Sequence, residues 1–312
     1  LTRHWMAVGA GSAYPEPLFR WPTTFALALA GVAMVGLLVP AAGQRMPAGP
    51  AIAPETRSRS VGYTNRGRLL HSVELEPSDV IRLKNPTSNY GTAELVALIE
   101  WAAREVDRHH PGASLLVGDI SRSRGGRLRP HRSHRAGRDA DISFYLKDAE
   151  GDPATLPRFV RLGRSGKGQL RNDEAVYEFD DVRNWAFVAA LMGQDAVPVQ
   201  YVMAVRPLKE RLLEEGRRQS APQWLLDRVE QAVGPRRTRG RRGGSYGTHN
   251  SHFHIRIYCT GEDRPRCRDK PPFWPWVNYP AAEDDSASHM RRRRSRARRR
   301  TRPRRGRRHS RW

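Results

Sequence analysis

Apolar and polar side chains alternate strictly in one segment of the chain, His252–Tyr258. Successive side chains of an extended strand point to opposite faces, so this pattern predicts a strand with one buried face and one polar face. The polar face would carry His252, His254 and Arg256. Two imidazoles about 7 Å apart on one face suit one metal ligand and one acid–base group. The segment therefore constrains the fold to a sheet whose polar face can perform chemistry.

A second segment, PHRSHRAGRDADIS, supplies further groups of the same kind. It contains His131, His134 and Asp141, and the alternation from Ala140 to Leu146 predicts a strand that places Asp141 on its polar face. Two imidazoles and one carboxylate form a common catalytic zinc set that leaves one position open for water. Taken singly, each residue has a simpler interpretation, as a surface histidine or as a carboxylate paired with arginine. Their joint spacing favours a metal site.

The rest of the middle region mixes helical and strand patterns. Helices are predicted from Thr92, as the N-cap, to Pro111, over Val182–Met192, from Pro207 to Glu215, and over Pro222–Val233. Strands are predicted at 114–118 and 199–205. The chain has no repeating strand–helix unit, so we expect an α+β fold: a small antiparallel sheet flanked by helices, with the zinc site on the sheet.

Composition divides the chain into parts. An apolar run, Phe25–Val39, follows basic residues and precedes small ones, as in a signal peptide; a retained anchor or a buried helix is the alternative. We therefore expect a signal peptide or membrane anchor over 1–43, a linker over 44–59 and a folded domain over 60–280. Cleavage of a signal peptide would make the protein periplasmic.

The last part, 281–312, is predicted to be a disordered tail. It holds 14 arginines between Arg291 and Trp312, which leaves +9 of the net charge of +23 for the other residues. Such a tail is either a solvated extension or a contact for a polyanion. Aromatic residues that could stack on bases are absent from it before Trp312, so no dedicated nucleic-acid site is predicted. Nothing in the sequence indicates an oligomeric state.

Two smaller features surround the histidine segments. Cys259 and Cys267 follow the second segment closely, and in an exported protein they are expected to form a disulfide; two free thiols are the alternative. Four arginines precede His131, and they are either solvated or bind carboxylates of a peptide substrate. These arginines are Arg122, Arg124, Arg127 and Arg129.

The segments GDISRSRGGRLRPHRSHRAGRDADI and HNSHFHIRIYC resemble the penicillin-insensitive murein endopeptidases, within the wider group of lysostaphin-like and D-Ala-D-Ala metallopeptidases. The resemblance extends over about 60–270, through SVGYTNRGRLLHSVELEP, YGTAELVALIEWAA, FDDVRNWAFVAALM and YVMAVRPLKERLL. It implies zinc held by His134, Asp141 and His254, and it implies that His131 is a further ligand. It also implies that His252 is the catalytic acid–base group, assisted by His249.

The reaction implied by the resemblance is hydrolysis of D-alanyl–meso-diaminopimelyl cross-links in peptidoglycan by a zinc metalloendopeptidase. The same ligands would also serve a zinc D,D- or L,D-carboxypeptidase acting on murein peptides, because the depth of the pocket decides between endo and exo cleavage. A third alternative, from a different class, is a non-catalytic protein that binds the cell wall or another polyanion.

Overall fold

The computed structural model describes residues 49–53, 57–235 and 249–279, which all lie in one compact unit that begins at Arg45. The predicted signal peptide or anchor, residues 236–248 and the arginine-rich tail lie outside the described residues. Structure begins slightly before the predicted domain start at Ser60, because Arg59 opens the first strand and the hydroxyl of Ser58 accepts the backbone N–H of Ala93 at 2.7 Å. Within the described ranges, no helix is both long and apolar enough to cross a membrane.

The described residues form four helices and thirteen strands. The helices are α1 Ala93–His109, α2 Asp181–Gly193, α3 Arg206–Arg218 and α4 Gln223–Ala232. The strands are β1 Arg59–Tyr63, β2 Arg66–Leu70, β3 Val73–Glu74, β4 Ile81–Leu83, β5 Tyr90–Gly91, β6 Leu115–Val117, β7 Asp139–Ser143, β8 Leu146–Lys147, β9 Pro153–Ala154, β10 Lys167–Gln169, β11 Val176–Phe179, β12 Val199–Met203 and β13 His252–Ile257. The predicted α+β class is confirmed.

The main sheet has five strands in the order β12-β13-β7-β6-β4. Its pairs are antiparallel, as expected, except that β4 and β6 run parallel. A second, four-stranded sheet has the order β10-β11-β8-β9, and β1–β2 and β3–β5 are separate pairs. The two strands that carry the histidine and aspartate motifs, β7 and β13, are therefore neighbours in the interior of the main sheet.

The apolar face of β13 packs against the helices. Phe253, Ile255 and Ile257 are at most 1% exposed, and the ring of Phe253 stacks on Phe187 of α2 with 6.2 Å between centroids. Helix α1 begins as predicted, because the hydroxyl of Thr92 accepts the backbone N–H of Leu95. The buried face of the sheet is thus fixed by the helical layer, which leaves the polar face of β13 for the site.

The strand predicted from Ala140 to Leu146 is wrong in its second half. Strand β7 ends at Ser143, and Leu146 pairs instead in the second sheet. The cause is Asn184 of α2, whose side chain accepts the backbone N–H of Tyr145 at 3.0 Å and donates to its carbonyl at 2.7 Å. These bonds replace the strand ladder at Tyr145 and turn its side chain into the core, where it is 3% exposed.

Candidate metal centre

The site is built first on the pairing of β7 and β13. Their register places His254 directly opposite Asp141. Side chains of directly opposed residues lie on the same face of an antiparallel pair. The His254 Nδ1 atom consequently lies 2.8 Å from the Asp141 Oδ1 atom, and both residues are nearly inaccessible to solvent. This pair supplies one nitrogen and one oxygen donor at a buried position on the sheet.

The loop between β6 and β7 brings His134 to the same position. Four residues of this loop have left-handed backbone conformations, and two of them flank the turn into β7: His134 with φ 60° and Gly137 with φ 70°. At Gly137, a Cβ atom would lie 2.8 Å from the side chain of Leu69, so the turn requires glycine. The result is that His134 Nε2 lies 3.1 Å from His254 Nδ1 and 3.3 Å from Asp141 Oδ1. The two distant segments therefore converge.

Hydrogen bonds determine which ring nitrogens can bind a metal. His134 Nδ1 lies 2.9 Å from the carbonyl oxygen of Ile120, which only accepts, so Nδ1 carries the hydrogen of the neutral ring. His254 Nε2 lies 3.0 Å from Asp139 Oδ1 and donates to that carboxylate in the same way. The remaining nitrogens, His134 Nε2 and His254 Nδ1, then face each other with lone pairs beside the Asp141 carboxylate. Such a group is stable only around a cation, either a proton or a metal ion.

The electrostatics of these buried groups agree with a cation site. Burial alone would lower the pKa of His134, but the adjacent Asp141 carboxylate outweighs burial and raises the pKa to about 9. Burial likewise opposes ionisation of Asp141, whereas the His134 and His254 rings hold its pKa well below the usual range. A carboxylate that stays ionised among imidazoles is a suitable ligand for a divalent metal.

His131 lies at the more exposed side of the group. Its Nδ1 is 3.5 Å from Asp141 Oδ2, and its Nε2 is 2.8 Å from Asp119 Oδ2. The hydrogen bond from His131 is the largest cause that lowers the pKa of Asp119 to about 2. Ligand atoms of His131, His134 and Asp141 all lie within 4.8 Å of one another, so these three residues could hold a metal ion.

His252 and His249 stand beside the group without joining its closest contacts. His252 Nε2 lies 3.6 Å from Asp141 Oδ1, and the ring stacks on Phe159 with 5.0 Å between centroids. The ring centroid of His249 is 5.5 Å from that of His252 and 5.8 Å from that of His254. Burial lowers the pKa of both His249 and His252 to about 4, so both rings are neutral at neutral pH and able to accept a proton.

Four residues at the site were not predicted from the sequence. Asp139 accepts from His254 and from Arg256 Nε at 2.5 Å; Asp119 holds His131; Phe159 stacks on His252; and Tyr201 stacks on His254 at 6.2 Å. Only Asp139 had a local signal, because it lies two residues before Asp141 and so shares its strand face. The other three reach the site from distant segments.

The predicted disulfide is confirmed. Cys259 and Cys267 are bonded, and Cys259 follows the last residue of β13 by two positions. The backbone N–H of Cys259 also donates to Asp269 Oδ2 at 2.9 Å. The bridge and this bond fix the end of β13 that lies away from His252.

The fold and the site together describe an α+β domain that carries a candidate metal centre on one face of its main sheet. Comparison with known proteins shows which proteins the chain is similar to. The sequence model of the family described as penicillin-insensitive murein endopeptidase matches residues 60–161, which include His131, His134 and Asp141. The resemblance predicted from the two histidine segments is thereby confirmed.

A curated relative supports the same similarity over a longer stretch. The penicillin-insensitive murein endopeptidase of Haemophilus influenzae is 27% identical to the chain over 232 residues, which covers 72% of the chain and 71% of the relative. The chain is thus similar to a murein endopeptidase over most of its length.

Proposed function

We propose that the chain is a zinc-dependent endopeptidase that hydrolyses D-alanyl–meso-diaminopimelyl cross-links in peptidoglycan. Two kinds of support combine. The family model and the curated relative are both described as penicillin-insensitive murein endopeptidase. The single observation that carries the metal is the approach of His134 Nε2 to His254 Nδ1 at 3.1 Å beside Asp141, with both opposite ring nitrogens already used as donors.

His134, Asp141 and His254 would hold the zinc ion, and His131 would be a further ligand. Two imidazoles and one carboxylate are a usual donor set for catalytic zinc, which leaves a position open. A zinc ion held there would act as a Lewis acid on the amide carbonyl and would lower the pKa of water. Asp139 keeps the His254 ring oriented and fixes its tautomer, and the Ile120 carbonyl does the same for His134.

His252 would move the proton in the reaction. Its ring is neutral because burial lowers its pKa to about 4, so it can accept a proton from the water that attacks the amide carbon. When the carbon–nitrogen bond breaks, the same ring delivers that proton to the leaving amine. Phe159 limits the rotation of this ring by stacking on it, and the ring of His249 lies beside it with 5.5 Å between centroids.

A zinc D,D- or L,D-carboxypeptidase is the first alternative, and it would use the same zinc ligands. A non-catalytic wall-binding protein is the second alternative, and it would not require a bound zinc ion. The test is digestion of purified cross-linked muropeptides with and without a chelator. We expect product masses that correspond to cleavage of the cross-link, and loss of activity with the chelator. Release of a single C-terminal residue would indicate a carboxypeptidase, and intact substrate under all metal conditions would exclude an enzyme.

Two variants separate the assigned roles. His252→Ala is expected to retain zinc and lose turnover by about 10²–10⁴-fold, the usual contribution of a general acid–base group. His134→Ala is expected to lose the zinc itself. Equal zinc content in both variants, with activity undiminished, would contradict the assignment.

Export and the tail form a further part of the proposal. Residues 1–43 would direct the protein to the periplasm, and the arginine-rich tail would contact a polyanion there. Deletion of 291–312 should reduce polyanion binding while hydrolysis of small muropeptides continues. A deletion that leaves binding and its salt dependence unchanged would remove the role of the tail.

A further inference from the structure

The loop between β6 and β7 begins and ends at the candidate metal centre. At its start, the carbonyl of Ile120 and the carboxylate of Asp119 bond to the rings of His134 and His131 at 2.9 and 2.8 Å. At its end, the chain enters β7 and reaches Asp141. The loop is therefore anchored at the candidate metal centre at both of its ends.

This loop displays five exposed arginines. Arg122, Arg124, Arg127, Arg129 and Arg132 are all exposed. Residues 120–138 contain no aspartate or glutamate, and they also contain no lysine. Among the described residues, none of these five guanidinium groups lies within 4.0 Å of a carboxylate.

The β1–β2 hairpin extends the same surface. Its strand β2 lies against the loop, because Leu69 N–H donates to the Arg124 carbonyl at 3.2 Å and Arg68 bridges to Gly125. Arg66 and Arg68 are exposed, and residues 57–73 contain no acidic residue either. We call the combined surface the basic rim. It consists of Arg66, Arg68, Arg122, Arg124, Arg127, Arg129 and Arg132.

Three exposed arginines on the helices are each paired with a glutamate of the same helix. On the helices, Arg104 pairs with Glu100, Arg108 with Glu105, and Arg218 with Glu215. Such pairs within one helix are the ordinary way to satisfy a surface arginine. Like charges placed together without counter-charges repel one another, which costs free energy in the free protein. What distinguishes the basic rim is that its seven arginines come from two adjoining segments, 57–73 and 120–138, that contain no acidic residue.

We propose that the basic rim binds the carboxylates of the peptide substrate next to the bond that is cleaved. This inference rests on the proposed function, since it assigns part of the substrate to a surface beside the same centre. The planar guanidinium group presents two parallel donors that match a carboxylate, whereas lysine presents a point charge. A rim made only of arginine therefore fits carboxylates in fixed positions. A phosphate-containing wall polymer is the competing occupant.

The test compares three variants on two substrates. The loop variant is R122Q/R124Q/R127Q/R129Q, and the hairpin variant is R66Q/R68Q, which leaves the histidine-bearing loop intact. The matched control, R104Q/R108Q/R217Q/R218Q, removes four exposed charges from α1 and α3. The substrates are a purified cross-linked muropeptide dimer and the same dimer with its carboxylates amidated. The measurements are kcat, KM, the Kd from calorimetry, and bound zinc.

We expect KM and Kd of the loop variant for the untreated dimer to rise at least about tenfold, which corresponds to about 1.4 kcal/mol. The hairpin variant should show a smaller rise of the same kind. Zinc content and kcat should stay within about twofold of wild type, because the rim binds substrate and does not touch the reacting atoms. The amidated dimer should be bound weakly and equally by wild type and both rim variants.

The other outcomes each overturn one proposal. If the wild-type protein binds the dimer but does not cleave it, the proposed function is refuted. The comparison of Kd values between wild type and the rim variants then still tests whether the basic rim binds the substrate. Wild type that neither binds nor cleaves the dimer refutes both. Cleavage with unchanged KM in both rim variants refutes the rim, as does an equal loss in the control. A loss that is the same for the amidated dimer, or that occurs only with intact wall carrying phosphate polymers, excludes substrate carboxylates as the occupant.

Discussion

Two buried polar clusters lie along β13, and they differ in how completely their groups are paired. The cluster near Cys259 is centred on Arg138, which is 1% exposed and donates to Asp269 Oδ1 at 2.6 Å, to the Ile257 carbonyl at 3.0 Å and to the Ser60 hydroxyl at 2.9 Å. The other carboxylate oxygen of Asp269 accepts from Cys259 N–H. In this arginine cluster each donor has an acceptor.

The candidate metal centre is equally buried but is not closed in this way. His134 Nε2 and His254 Nδ1 lie 3.1 Å apart and need a proton or a metal ion between them. The hydrogen bonds to the Ile120 carbonyl and the Asp139 carboxylate use the other nitrogen of each ring, so they hold the rings in this arrangement. Burial of charged residues therefore does not by itself distinguish a functional site from a structural one. The distinction lies in acceptors that face each other and need a cation.

The largest expected effect separates the clusters by activity. His134→Ala should abolish zinc binding and lower hydrolysis of the muropeptide dimer by more than about 10³-fold, because removal of a ligand disables the centre. The free energy of unfolding measured with chelator present should also fall, by about 1–3 kcal/mol, because His134 is buried and its ring is a partner of the buried Asp141 carboxylate. Zinc analysis, kinetics and urea unfolding measure these quantities. A variant that keeps its zinc and its activity would show that His134 is not a ligand.

The reciprocal change tests the arginine cluster. Arg138→Met should lower the free energy of unfolding by about 3–5 kcal/mol, because it leaves Asp269 buried without its main partner. Zinc content of the folded fraction should remain that of wild type. Urea unfolding with and without chelator measures both points. Unchanged stability would show that the pairing around Arg138 is dispensable.

The disulfide should have a smaller effect on stability. Cys259 and Cys267 are 8 residues apart, and loss of so short a loop closure is expected to cost about 2–3 kcal/mol. A double substitution to serine should therefore lower the midpoint of thermal unfolding and weaken zinc binding only slightly. Scanning calorimetry and zinc titration provide the measurements. A loss of zinc as complete as in His134→Ala would show that the bridge controls the centre itself.

The smallest of these effects concerns Asp139, which orients the proposed zinc ligand His254. Asp139→Asn keeps the shape of the side chain but weakens the hydrogen bond that orients His254, so zinc affinity should fall about 10–100-fold. Saturating zinc should restore most of the activity, which it cannot do for His134→Ala. Asp119→Asn, which alters the partner of His131 and keeps the shape of the side chain, is the matched control. Equal losses in both variants would place His131 among the essential ligands.

Local sequence patterns predicted much of the fold. Helix α1 and its Thr92 cap were correct, because a 3.6-residue apolar stripe and a capping hydroxyl act within a few residues. Strand β13 was correct for the same reason, since a period of two fixes which side chains share a face. The prediction failed at Tyr145, where Asn184, 39 positions away, satisfies the backbone in place of a neighbouring strand.

The sequence by itself determined the types of donor, the face of β13 that carries them and the cysteines available for a bridge. Only the tertiary structure decided that His134 and His254, separated by 120 positions, meet at one point, and that Asp139, Asp119 and Phe159 support them. It also decided that strand β2 of the β1–β2 hairpin lies against the β6–β7 loop. The physical reason is that periodicity acts along neighbouring residues, whereas a metal centre depends on contacts formed when distant strands and loops pack together.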